Sequence, residues 1–257
     1  MLKNPYLVPG LERGLRLLQL FRPGRAEIAA PEIARELELP RTTAFRLLQT
    51  LQALEFVERT SGGAYRLGPA VLRLGFDLVS SLDVSERGAE VLEKLCREIA
   101  ESTQLAILDG RELVVVLKKT PSSAFASNVQ VGTRMPAHAT VVGRTLLQDH
   151  DTAALKRLFP DRQLKVFTPQ TPKTVAELER LIAQDRVRGY ALSESAYESG
   201  ISAIAVPVRN HERRVVAALS IIVSKPRLEP KRRDELAQRA IAAAAELSRR
   251  LSYRQAA

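Results

Sequence analysis

The sequence predicts an α+β protein in two parts joined by a helix, and three observations predict it. Over roughly the first 80 residues, apolar positions recur at helical spacing in three successive short runs and then give way to a Gly-Gly hairpin signal. From residue 83 onward, helical runs alternate with pairs of apolar strands joined at tight-turn residues. Between them stands "PAVLRLGFDLVSSLD", an amphipathic run with Pro69 suited to its first turn. The expected boundaries are residues 1–67, a linker helix over 68–82, and a larger domain over 83–257.

In the first part, "PGLERGLRLLQLF" sets Leu11, Leu15 and Leu18 at i, i+4 and i+7, one apolar helical face. Pro31 opens "PEIARELEL", with Ile33, Ala34 and Leu37 inward. Next, "LPRTTAFRLLQTLQALEFVER" carries a stripe of Ala44, Leu47, Leu48, Leu51 and Leu54. Its opposite face holds Thr42, Phe45, Arg46 and Gln49, which a buried helix has no need of. "FVERTSGGAYRLG" then reads as two short strands around Ser61-Gly62-Gly63. Three helices and a two-stranded wing in this order make a winged helix-turn-helix, whose second motif helix lies in the major groove of DNA. On that reading Arg41, Thr42, Thr43, Phe45, Arg46 and Gln49 face the groove, and Arg59 and Arg66 reach phosphates from the wing. The alternative is a small core helix with a solvated outer face.

The second part opens with "SERGAEVLEKLCREIAES", a helix in which Cys96 reads as a buried structural thiol. "TQLAILDGRELVVVLKK" is a hairpin turning at Asp109-Gly110, and "ISAIAVPVRN" with "RRVVAALSIIV" is a second, turning near Asn210-His211-Glu212. Thr174 and Glu177 fit a capping box for "VAELERLIAQDRVRG", which Gly189 closes. The chain continues into the long basic helix "PKRRDELAQRAIAAAAELSRRLS". Helices with antiparallel hairpins indicate a sensor-type α+β domain rather than a parallel dinucleotide fold.

The formal net charge is +10, from 39 Lys and Arg against 29 Asp and Glu, which favours a polyanionic partner. Residues 1–80 contribute only 11 − 8 = +3, so charge does not locate the site. No apolar run reaches the length of a membrane span, and no secretory signal precedes the first helix, so the expected setting is the cytoplasm. One cysteine excludes a disulfide framework and a cysteine-rich zinc site. His138, His150 and His211 have no zinc-ligand spacing, and "ESGISAIA" lacks the second glycine of a nucleophile elbow, Ile204 standing in its place. No catalytic residue, metal or cofactor is therefore expected. "GTRMPAHATVVGRTLLQ" instead places Pro136, Ala137, His138 and Thr140 at the start of a helix running to about Gln148, where backbone N–H groups suit a carboxylate. Ser202 and Ser220 sit on the apolar hairpin strands, where they could face a cavity.

These segments resemble the IclR family of bacterial transcription regulators over nearly the whole chain. The resemblance is carried by "LERGLRLLQLF", "EIARELELPRTTAFRLLQTLQALEFVER", "GAYRLG", "MPAHATVVGRTLL", "VRGYALSES" and "GISAIAVPV", in that order. It implies a winged helix-turn-helix, a linker helix contributing to dimer formation, and a GAF-like effector domain. The partners it implies are a double-stranded operator, an inverted repeat on two-fold symmetry, bound by a homodimer or dimer of dimers, and a small-molecule effector. By position it places Met135, Ala137, His138, Thr140, Ser202, Ala203, Ile204 and Ser220 along the effector cavity. Within the family the chain looks closest to regulators of protocatechuate, 4-hydroxybenzoate and β-ketoadipate breakdown, which suggests an aromatic acid. Ala196 departs from the acidic residue common there, and "RNHERR" lacks the usual Asp and Gly. The contrary reading is an enzyme or carrier with an accessory DNA-binding domain.

Overall fold

In the computed structural model the chain divides into two compact units, residues 1–79 and 80–257. The structure describes residues 6–22, 24–74, 83–121, 129–161, 163–194, 197, 201–224 and 228–252. Most of the expected linker helix, and the position of Ala196, lie outside these.

The first unit comprises α1 (Pro9–Leu18), α2 (Ala30–Glu36), α3 (Arg41–Ala53) and a hairpin of β1 (Val57–Arg59) with β2 (Tyr65–Leu67). A further helix, α4, is described over 69–74. Leu17, Phe21, Ile28, Ile33, Leu48, Val57 and Tyr65 form the core. Proline opens both α1 and α2, where the missing N–H costs nothing. Ile28 and Tyr65 exchange backbone hydrogen bonds of 2.9 and 2.8 Å, so the segment ahead of α2 adds a bridge to the wing.

Two expectations are corrected here. In α1 it is Gly14 and Leu17 that turn inward, while Leu11 and Leu15 are exposed. Leucines occupy two adjoining stripes of this helix, and spacing does not tell which of them meets α3. Leu54 is also exposed, because α3 ends at Ala53 and Glu55 turns the chain at φ 61°.

The second unit is an antiparallel six-stranded sheet in the order β5-β4-β3-β8-β7-β6. Its strands are β3 (Ser102–Asp109), β4 (Glu112–Lys119), β5 (Arg134–Pro136), β6 (Ala191–Glu194), β7 (Ile201–Arg209) and β8 (Val215–Ser224). On one face pack α5 (Asp83–Ile99) and α9 (Pro230–Ser252), through Leu92, Leu95, Ile204, Val206, Leu236 and Leu247. Ala237, Ala240, Ala243 and Ala244 are buried, so the alanine run lets α9 lie close to its neighbours. The other face carries α6 (Val141–Leu146), α7 (Thr152–Leu158) and α8 (Val175–Arg188). Cys96, on α5, is buried, and burial pushes its thiol pKa up, as for a structural cysteine.

Residues 136–148 do not form one helix. β5 ends at Pro136, Ala137–Ala139 is a single 3-10 turn, and α6 starts only after Thr140, which is extended at φ −115° and ψ 151°. The Thr140 hydroxyl accepts from the Gly143 N–H at 3.0 Å and so caps α6. Gly143 is required because a Cβ there would stand 2.1 Å from the Ala137 carbonyl oxygen. The 3-10 turn and α6 therefore fold back against each other, and this sets the wall of the cavity described below.

Candidate functional site

The outer face of α3 is the candidate nucleic-acid interface. Arg41, Thr42, Phe45, Arg46 and Gln49 are exposed, and Thr43 is half-buried. Residues 41–53 contain two arginines and no carboxylate, and neither Arg41 nor Arg46 is ion-paired among the described residues. The phenyl ring of Phe45 is 52% exposed in the middle of this polar strip. No side chain caps the N-terminus of α3, so its first N–H groups and the positive end of its dipole face outward, as phosphate binding requires.

The wing turns at Gly63, whose φ of 82° suits glycine, closed by a 3.0 Å bond from its N–H to the Thr60 carbonyl. Arg59 is exposed beside it. Arg66 is engaged, its Nε and Nη2 donating to Glu58 at 3.0 and 2.8 Å. Such an exposed pair is worth about 0–1 kcal/mol, small enough for a phosphate to replace Glu58.

The second unit holds a cavity of about 80 Å³ between α6 and the sheet. Met135, Val141, Val142, Ile201 and Ile222 supply apolar walls, while Gln104, Thr140 and Ser193 bring polar groups. Tyr197 stands at its edge, 5.0 Å from the Phe167 ring, which lies 6.1 Å from His138. Because Thr140 uses its oxygen as the α6 cap, its own O–H remains available as a donor. Thr140→Ala is expected to cost about 1 kcal/mol of unfolding free energy in urea denaturation, the usual loss of a helix cap.

The eight expected effector residues divide into four groups. Met135, Thr140 and Ala203 line the cavity. Ser220 lies on the same face of the sheet, beneath α6, paired in register with Gln104 and Ala205. Ala137 is buried with Leu155, Phe159 and Leu178 behind the 3-10 turn, and His138 lines a neighbouring hollow, its Nε2 2.9 Å from the Lys165 carbonyl. Ser202 and Ile204 are corrections: they point to the opposite face, where Ile204 packs in the α5–α9 core. Alternation along β7 puts Ile201, Ala203, Ala205 and Pro207 on the cavity side of the sheet. Gln104, Ser193 and Tyr197 escaped the sequence reading. The available signal was a glutamine inside the apolar strand "TQLAIL".

α6 is anchored by a buried ion pair. Arg144 and Asp185 have side chains only 4% and 3% exposed, with Nε 2.9 Å from Oδ2, and Arg144 Nη2 also donates to the Leu192 carbonyl at 3.0 Å. One guanidinium thereby ties α6 to α8 and to β6, next to cavity residue Ser193. Burial pushes the Asp185 carboxyl pKa up against the pull of Arg144.

No group of three or more His, Cys, Asp or Glu among the described residues could hold a metal, and no helix among them is long and apolar enough to cross a membrane. The family model for the IclR helix-turn-helix domain matches residues 10–61, and that for the bacterial transcriptional regulator IclR C-terminal domain matches residues 76–249. The chain belongs to the IclR family. It is a transcriptional regulator with a helix-turn-helix DNA-binding domain and a C-terminal α+β effector domain, and not an enzyme. The HTH-type transcriptional regulator XynR of Escherichia coli is 34% identical over 252 residues, covering 96% of this chain and 98% of the relative. The Pca regulon regulatory protein of Pseudomonas putida is 29% identical, covering 92% and 80%. Among solved structures, an IclR homolog from Microbacterium hydrocarbonoxydans complexed with 4-hydroxybenzoate aligns with a TM-score of 0.80 at 26% identity, covering 94% of this chain and 98% of that one.

Proposed function

We propose that this IclR regulator binds an inverted-repeat operator as a homodimer or dimer of dimers, and that a small organic acid in the cavity changes its operator affinity in control of a catabolic operon. The observation that carries the reading is the cavity itself: apolar walls with a few polar groups, between α6 and the sheet, suit a small molecule with a polar end. The Microbacterium relative, complexed with 4-hydroxybenzoate, supports a carboxylate, and the Pca regulon relative supports aromatic catabolism as one setting. Arg41, Thr42, Thr43, Phe45, Arg46 and Gln49 are assigned to the major groove, with Arg59 and Arg66 at the wing.

Thermal unfolding against a panel of aromatic and aliphatic carboxylates tests the effector. An acid at about 100 times its dissociation constant is expected to stabilise the protein by about 2.7 kcal/mol. A panel that leaves the melting temperature unmoved throughout contradicts an acid effector.

A further inference from the structure

We propose that Gln104 selects effectors carrying a hydroxyl group as well as a carboxylate, and that Lys118, its neighbour on β4 behind the cavity wall, favours the carboxylate through its positive field. The proposal rests on the acid-responsive reading above and names the class of acid.

Gln104 stands in a cross-strand row. It pairs with Lys118 on one side and with Ser220 on the other, and Ser220 pairs with Ala205. A β-bulge decides which way Lys118 points. The register between β3 and β4 shifts at Leu105/Ala106, so Val116 and Leu117 both pack toward the α5–α9 core. The strand then resumes with Lys118 on the same face as Gln104, the cavity face. The Lys118 ammonium donates to the carbonyl of Val129, a cavity residue, at 2.5 Å, and partial burial lowers its pKa. A desolvated cation attracts an anion more strongly than a solvated one does.

Gln104 is 2% exposed and lines the cavity, yet its Oε1 has no hydrogen-bond partner among the described residues. The Oγ of Ser220, fully buried beside it, has none either. Buried polar atoms are ordinarily satisfied, and the cavity that Gln104 lines gives a ligand access to its carboxamide. A carboxamide offers an acceptor and two donors, and an alcohol offers one of each, so they match whichever way the amide is turned. At about 80 Å³ the cavity is smaller than the ~150 Å³ that holds benzene, so a short aliphatic hydroxy acid fits as the walls stand.

Calorimetric titration of the full-length protein with three matched pairs tests this: lactate and propionate, 3-hydroxybutyrate and butyrate, 4-hydroxybenzoate and benzoate. In at least one pair the hydroxylated acid is expected to bind about tenfold tighter. Preference within the aliphatic pairs assigns a short acid, and preference within the aromatic pair assigns a ring. Gln104→Met is expected to bring the ratio to near one, chiefly by weakening the hydroxylated acid. Lys118→Met is expected to weaken both members of the pair by a similar factor. Gln104→Asn withdraws the same carboxamide by one methylene and is expected to lose the preference too, so the test stands if the methionine variant does not fold. A hydroxyl preference that survives both Gln104 variants overturns the proposal. Acids that bind without any hydroxyl preference overturn it and leave the acid effector standing. Silence from all six overturns both.

Discussion

Asp185→Ala is expected to destabilise the C-terminal unit by about 3–5 kcal/mol, read as a fall in its urea midpoint with little change in slope. The reason lies in what is left behind. The Arg144 guanidinium sits at 4% exposure with one remaining bond, to the Leu192 carbonyl. A buried cation stripped of its counter-ion carries the full cost of desolvation. The paired state itself contributes little net stability, because both groups have already left water. A double variant, Arg144→Met with Asp185→Leu, is therefore expected to recover most of the loss. It is also expected to loosen α6 from α8 and β6, and so to weaken acid binding even where stability returns. If the double variant is as unstable as Asp185→Ala, the stranded charge is not the cause and packing is.

Arg46→Ala is expected to weaken operator binding by about 1–3 kcal/mol while leaving binding to unrelated DNA nearly unchanged. The side chain lies on the carboxylate-free outer face of α3, exposed and without an ion pair among the described residues, so removing it leaves no orphan charge and no cavity in the core. Unfolding stability should shift by less than about 0.5 kcal/mol, which separates loss of recognition from loss of fold. The check is fluorescence anisotropy on specific and scrambled duplexes across a salt series. Equal loss on both, with a shallower salt dependence, identifies Arg46 as a phosphate contact instead.

The helical periodicity of residues 41–53 was legible because one element presents two chemically opposite faces. α1 misled for the complementary reason: it has leucine on two neighbouring stripes, and the choice between them is made by the partner helix. The capping box was legible as spacing, and the structure refines its atoms: Thr174 accepts from the Glu177 N–H at 3.2 Å, and the Glu177 carboxylate takes the Lys173 N–H at 2.8 Å. The cavity was less legible, since its lining is set by the parity of strands far apart in sequence. Ser202 and Ala203 are adjacent and of similar size, yet one faces the α5–α9 core and the other the cavity. Only the register with β8 separates them. Gln104 and Lys118 meet through a bulge, and a bulge of one residue leaves no mark in an apolar run such as "ELVVVLKK".

The measurement closest to the central claim is the affinity of the full-length regulator for its selected operator, with and without a saturating acid that raises its melting temperature. A coupling of about 1–3 kcal/mol predicts that the acid changes operator affinity by about 5–150-fold, in either direction. An affinity unchanged at saturation would show that the cavity and the DNA-binding face are energetically separate, and would contradict the account.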